Sequence, residues 1–356
     1  LEAAPVQFFL RTYDDAMAMA RTRLGAFVGA DPADIALISN ASLGVNAVLR
    51  SLPFQPGDEI LVTNVTYPAC RNAAEFVAKR SGASVVMASL PFPLTEQRQL
   101  TDAILDQVTA KTKLVLLDHI TSATALVMPL KTLVTTLEAR GVEVLVDGAH
   151  APGQLPLNLD QLGASYYTGN CHKWMCTPKG SAFLYVRPDR QASVHPLTIS
   201  HGASIDAEGV SRFRLEFDWV GTHDPSALLS IPAAIDHLGE LLPQGWSGLM
   251  QRNHALASAA QPIIAEALGT EHLCPDDCFG AMVAFPLPAQ APQLPRGPRG
   301  LDPLAHWLWT EHRIDVPVGP VPFSETRFLR ISAQLHNKLD DYRRLAEALR
   351  LAPVSR

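Results

Sequence analysis

None of the 22 glycines lies two positions from another, so the chain has no GxG, and with it lacks the usual dinucleotide fingerprint and the kinase glycine loop. GxxxxGK followed by Ser or Thr, HExxH and GxSxG are absent too, which removes the P-loop, the zinc-protease helix and the serine-hydrolase elbow. No apolar stretch approaches the ~18 residues that span a bilayer, and the opening LEAAPVQFFLR is not a basic-then-apolar signal. Basic runs are missing, and 29 Lys+Arg against 35 Asp+Glu leave a net charge of −6. Neither nucleic acid nor an anionic membrane is therefore expected as a partner, and a small molecule is. Cysteine is scarce and odd in number, five residues, which fits reduced thiols and a cytoplasmic protein. Cys171/Cys176 and Cys274/Cys278 lack CxxC spacing, so no metal is expected.

What the sequence does have is apolar surface. Hydrophobic residues make up 47% of 356, enough for more than one small core. Residues 15–28 and 43–50 read as amphipathic helices. Short β runs follow at 60–63, 84–87, 114–117, 142–146, 165–168 and 182–186, with helical segments at 69–80, 102–109 and 130–140 between most of them. That alternation predicts an α/β architecture with a mainly parallel sheet. Helical stretches at 225–243 and 246–268 then lead to strands at 281–285, 314–318 and 328–332 and a helix at 339–350, a smaller α+β lobe. Residues 286–300, rich in Pro and Gly, should be an exposed loop within it. The expected divisions are an N-terminal segment (1–30), a large domain (31–236) and a small C-terminal domain (237–356).

Open parallel sheets bind ligands beyond the carboxyl ends of their strands. The residues there are polar: Tyr67 after 60–63; Asp118, His119, Thr121 and Ser122 after 114–117; Asp147 and His150 after 142–146; Asn170, His172 and Lys173 after 165–168. One aromatic ring, a carboxylate, imidazoles and a lysine suit a heteroaromatic cofactor better than they suit hydrolysis.

VDGAHAPGQLPLNLDQLGASYYTGNCHKW (146–174) resembles the cofactor-binding segment of the class V aminotransferases, fold-type I enzymes of pyridoxal 5′-phosphate, and most of all the isopenicillin N epimerase-like branch. NASLGVN (40–46), TYPA (66–69), DHITSAT (118–124), DWVGTHD (218–224) and RISAQLHN (330–337) follow in matching order. The resemblance implies a three-layer α/β/α fold, a homodimer with a shared active site and an amino-acid substrate. Members of that branch usually carry a strand and a turn with LN-x-G ahead of an LEAAP-like segment. That piece does not stand ahead of LEAAP in this sequence, and a protein without it would lose part of the substrate pocket.

Each residue then acquires a role beside a plainer alternative. An amine between His172 and Trp174 at a strand end is kept partly desolvated and nucleophilic, so Lys173 would hold the cofactor covalently; otherwise it is a solvated lysine. Asp147 would pair with the pyridine nitrogen, or cap its loop. His150 would lie near the phenolic oxygen, or at the surface, and Tyr67 would stack on the ring or simply pack. Ser42 with the N–H groups of Leu43 and Gly44 would bind phosphate at a helix start, unless Ser42 is a plain N-cap. By resemblance, Thr222 reaches the phosphate of the neighbouring subunit, and Asn170 stands where relatives have a phosphate-binding serine. His172 flanks the lysine in the same motif. Arg330 would grip the substrate carboxylate in a bidentate fork, or form a surface ion pair. His119 and Ser122 would flank the cofactor or substrate, or satisfy the backbone.

Epimerisation at Cα is the outcome the resemblance implies, with transamination and β-elimination open from the same chemistry and a cofactor-binding protein without turnover as a further alternative. A second acid, opposite Lys173, is sought among His119, His201 and the missing N-terminal piece. Relatives that carry persulfide place a cysteine shortly before the arginine; residues 313–329 contain none.

Overall fold

The computed structural model describes residues 2–270, 274–287, 300–320 and 326–352. Seven strands form the main sheet: β1 (Ile35–Ile38), β2 (Glu59–Thr63), β3 (Ser84–Ala88), β4 (Thr112–Asp118), β5 (Glu143–Asp147), β6 (Tyr166–Asn170) and β7 (Ala182–Val186). Their order is β1-β7-β6-β5-β4-β2-β3. β3, β2, β4, β5 and β6 run parallel, and β7 is antiparallel to both its neighbours.

Strand alternation divides the core into two layers. Leu114 and Leu116 of β4 pack on one face with the helices Ala41–Ser51 and Pro68–Ser81; Val115 and Leu117 pack on the other with Tyr13–Val28 and Leu130–Ala139. With both faces covered, the parallel strands are continuous apolar runs, as burial on two sides demands. This is the α/β/α arrangement expected from the sequence.

A second, antiparallel sheet, β8-β10-β9, is made by β8 (Met282–Pro286), β9 (Val318–Pro320) and β10 (Arg327–Ser332). The long helix Gly245–Leu268 and the terminal helix Leu339–Leu351 accompany it. Gln154 ties the two sheets together. Its amide donates to the His150 carbonyl at 2.9 Å and accepts from Ala281 N–H at 2.6 Å. A Cβ at Gly280 would sit 2.6 Å from the Gln154 oxygen and push it off this contact.

Several elements differ from the sequence expectation. β1 was not foreseen, being four apolar residues without alternation. The segment expected at 102–109 is the helix Arg98–Leu105, which buries Leu100 and Ile104 on one face while the Gln99 side chain accepts from Thr95 and Glu96 N–H before it. The stretch 225–243 breaks at Ser230 into Ser226–Leu229 and Ile231–Glu240. The strand expected at 314–318 begins only at Val318, where pairing with Leu329 starts. A helix not anticipated, Pro303–His312, starts at an Asp302 cap with Pro at its first position. Of the predicted loop 286–300, positions 288–299 lie outside the described residues. Among the described residues no helix is long and apolar enough to cross a membrane.

Candidate active site

The parallel strands β2, β4, β5 and β6 deliver their carboxyl ends to one cavity, whose wall includes Ser42, Tyr67, Asp118, Ser122, Asp147, His150, Asn170, His172 and Lys173. Asp118 and Asp147, last residues of β4 and β5, are opposite each other in register. His119 N–H donates to the Asp147 carbonyl at 2.8 Å, which extends the ladder past the strands.

Lys173 follows β6 and points back at β5. Its Nζ lies 3.1 Å from His150 Nε2. Burial lowers the Lys173 ammonium from its ordinary range, and Arg330 adds to this while Asp147 opposes it. Burial, then the charges of Lys173 and Arg330, hold His150 well below the usual imidazole range. A neutral imidazole beside a partly desolvated amine is a pair able to pass a proton.

Asp147 is 4% exposed and well served with donors. Oδ1 accepts from Ala149 N–H at 3.0 Å, and Oδ2 from the Cys70 thiol at 3.0 Å. Cys70 is the third residue of the helix that Tyr67 caps and directly follows TYPA (66–69), and spacing alone carries no signal of this contact. Burial, then Asp147, raise the Cys70 thiol far beyond its ordinary range, so it serves as a donor and not as a nucleophile.

Tyr67 is the N-cap residue of Pro68–Ser81 and is 42% exposed beside the cavity. The helix Ala41–Ser51 is capped by Asn40, not Ser42: Asn40 Oδ1 accepts from Leu43 N–H at 3.0 Å, and its carbonyl accepts from Gly44 N–H at 3.4 Å. Ser42 lines the cavity, whereas the Leu43 side chain lines a neighbouring apolar one and Gly44 is pressed on Thr168, whose Oγ1 would be 2.5 Å from a Cβ. Asn170 Oδ1 accepts from Ala41 N–H at 2.9 Å and so fixes this helix start to the end of β6. His172 Nδ1 accepts from Ser181 N–H at 3.3 Å.

Arg330 reaches the site from β10. Its Nη1 donates to the Ser122 carbonyl and lies 3.5 Å from Ser122 Oγ, which places a small-sheet cation at the large-sheet cavity. Thr222 is exposed and lines no part of this cavity in its own chain, and His201, also exposed, is likewise outside it.

His119 departs from expectation. Because Asp118 faces the cavity, the next side chain faces away. His119 Nδ1 is 2.8 Å from the Tyr167 hydroxyl, and the ring lines a different cavity with Met128 and Pro129. It therefore lines no part of the cavity that holds Lys173.

Does the site fit pyridoxal phosphate? Three buried polar atoms in or beside it, Asp118 Oδ2, His150 Nδ1 and Arg330 Nε, have no partner among the described residues. Buried orphans of this kind mark where a polar ligand belongs. The set offers a carboxylate for a ring nitrogen, an amine for an aldehyde, an aromatic ring and a serine at a helix start. These residues fit the cofactor. Among the described residues no group of three or more His, Cys, Asp or Glu side chains is arranged to hold a metal ion.

The family model described as Aminotransferase class-V matches residues 9–294. An isopenicillin N epimerase of Streptomyces clavuligerus is 32% identical, over 98% of this chain and 87% of that protein. A putative L-cysteine desulfhydrase of Oryza sativa subsp. japonica is 30% identical over 98% of this chain and 77% of its own length. Among solved structures, the apo cysteine desulfurase of Thermococcus onnurineus NA1 superposes with a TM-score of 0.79 at 18% identity, covering 98% of this chain and 90% of that one.

Proposed function

Since this chain belongs to the class V aminotransferase family, we propose that it is a pyridoxal 5′-phosphate enzyme that moves the Cα proton of an amino acid, with epimerisation as the outcome. The observation that carries the proton chemistry is the 3.1 Å contact between Lys173 and His150 at the carboxyl edge of the sheet. When bound, the cofactor supplies an electron sink that makes a Cα–H bond acidic.

The chain's own residues do the rest. Lys173 anchors the cofactor and is then the base at Cα, its ammonium form disfavoured by burial. His150 accepts or returns that proton through Nε2. Asp147, held by two hydrogen bonds, faces the pyridine nitrogen, and Tyr67 offers its ring to the cofactor's face. Ser42 serves the phosphate, with Asn170 holding its helix in place, and His172 flanks the lysine. Arg330 takes the substrate carboxylate, its fork oriented by Ser122.

Thr222, exposed and away from its own chain's cavity, supports a homodimer in which it serves the partner's phosphate. The five free thiols are in keeping with a reducing, cytoplasmic setting.

A second reading, elimination of a sulfur substituent from Cβ, is favoured by one observation: neither His119 nor His201 lines the cavity, and elimination needs a single base at Cα where epimerisation needs two. The desulfhydrase relatives agree with it. An assay of loaded enzyme with an amino-acid panel in deuterated water, scoring Cα deuterium, inverted product, keto acid and sulfide, separates the two. Deuterated, inverted amino acid without keto acid supports epimerisation; keto acid with sulfide supports elimination; neither Cα exchange nor keto acid on any substrate refutes both.

A further inference from the structure

Asp147 has a neighbour that the proposed chemistry does not use. Asp118 ends β4 directly opposite Asp147 at the end of β5, so both carboxylates leave the sheet on one face. Each is 4% exposed. Asp118 Oδ2 is buried in the cavity wall and has no hydrogen-bond partner among the described residues.

Two carboxylates side by side and out of water do not both ionise readily; a shared site leaves one of them protonated. The donors decide which. Asp147 has a thiol and a backbone N–H, and Asp118 Oδ2 has neither among the described residues. A lone buried acceptor oxygen is costly, whereas the same oxygen bearing a proton becomes a donor directed at the ligand. We propose, resting on the cofactor reading above, that Asp118 is a further cofactor-binding residue, a neutral carboxylic acid beside a charged Asp147. The two strand ends then present one negative charge and one proton to the pyridine ring, instead of two negative charges.

The surroundings agree in sign. Burial first, then the charge of Asp147, hold Asp118 well above the ordinary carboxylate range, and the Lys173 ammonium pulls the other way. Cys70 and Tyr167, which also face Asp147, are themselves raised, first by burial, and stay neutral.

Infrared spectroscopy of the whole protein, with and without pyridoxal phosphate, tests this. At neutral pH the wild type should show the carbonyl band of a buried, protonated carboxylic acid. That band should be missing from Asp118→Asn and should shift when the cofactor is loaded. Its absence from the wild type overturns the neutral acid, and a band indifferent to the cofactor overturns the binding role. Should Asp118→Asn fail to fold, the wild-type band and its shift decide alone. Cofactor affinity gives a second readout: Asp118→Ala should weaken it about tenfold, and the neutral Asp118→Asn should bring it back to within about threefold. An Asn variant as weak as Ala overturns the proposal, because charge would then be what counts. Failure of the cofactor reading is distinguishable, since the wild type would then bind no pyridoxal phosphate at all while the band persisted.

Discussion

Lys173 and His150 meet through Nζ and Nε2 at 3.1 Å, and burial is the first cause that lowers the proton affinity of both. The contact therefore joins two groups that are each readier to lose a proton than in water. His150→Gln keeps a polar side chain but cannot take up a proton, and we expect kcat to fall about 10²- to 10⁴-fold with cofactor still bound. Because His150 is held below the usual imidazole range, any acidic fall in kcat that His150→Gln removes should lie below that range. A steady-state pH profile checks both statements.

Asp147→Asn should retain cofactor and lose most turnover, since an amide cannot stabilise the pyridinium charge. Near-normal kcat in this variant would refute the role of Asp147. Absorbance of the dialysed protein establishes that cofactor remains.

His119 has a consequence for stability. Burial lowers its imidazole from 6.5 to about 4. Between those values the unfolded chain binds the proton and the folded one does not, so the contribution is present above pH 6.5 and is lost as pH falls toward 4. His119→Gln, which can keep a hydrogen bond to Tyr167, should flatten the decline of Tm over that window. Thermal melts at a series of pH values measure it, and equal slopes in both proteins would contradict the buried, neutral ring.

Gly148 is a further point of vulnerability. A Cβ there would fall 2.2 Å from the Tyr167 phenol, with the Asp147 loop on one side and β6 on the other. Gly148→Ala should cost about 1–3 kcal/mol through overpacking. Denaturant unfolding would show it as a lower midpoint at unchanged m-value.

The parallel strands were legible because burial on both faces leaves continuous apolar runs, and the polar residues at their ends stand out against them. Lys173, His150 and Asp147 were legible for that reason and through their motif. What sequence could not supply were contacts set by tertiary packing: the Cys70 thiol on Asp147, Gln154 between the sheets, and Asn40 in place of Ser42 as helix cap. His119 failed for a simpler reason, since alternation at a strand end turns every second side chain away and the exact last residue of the strand decides which. Asp118 was seen as polar but given no task, because its meaning lies in the register of β4 against β5.

The central claim is that Lys173 holds pyridoxal phosphate covalently at the carboxyl edge of the sheet. Borohydride reduction of the loaded protein, followed by proteolysis and peptide mass measurement, tests it directly. The account predicts loss of the visible band and a cofactor mass on the peptide that contains Lys173, with none on Lys173→Ala. A label on another lysine, or a band that survives reduction, would contradict it.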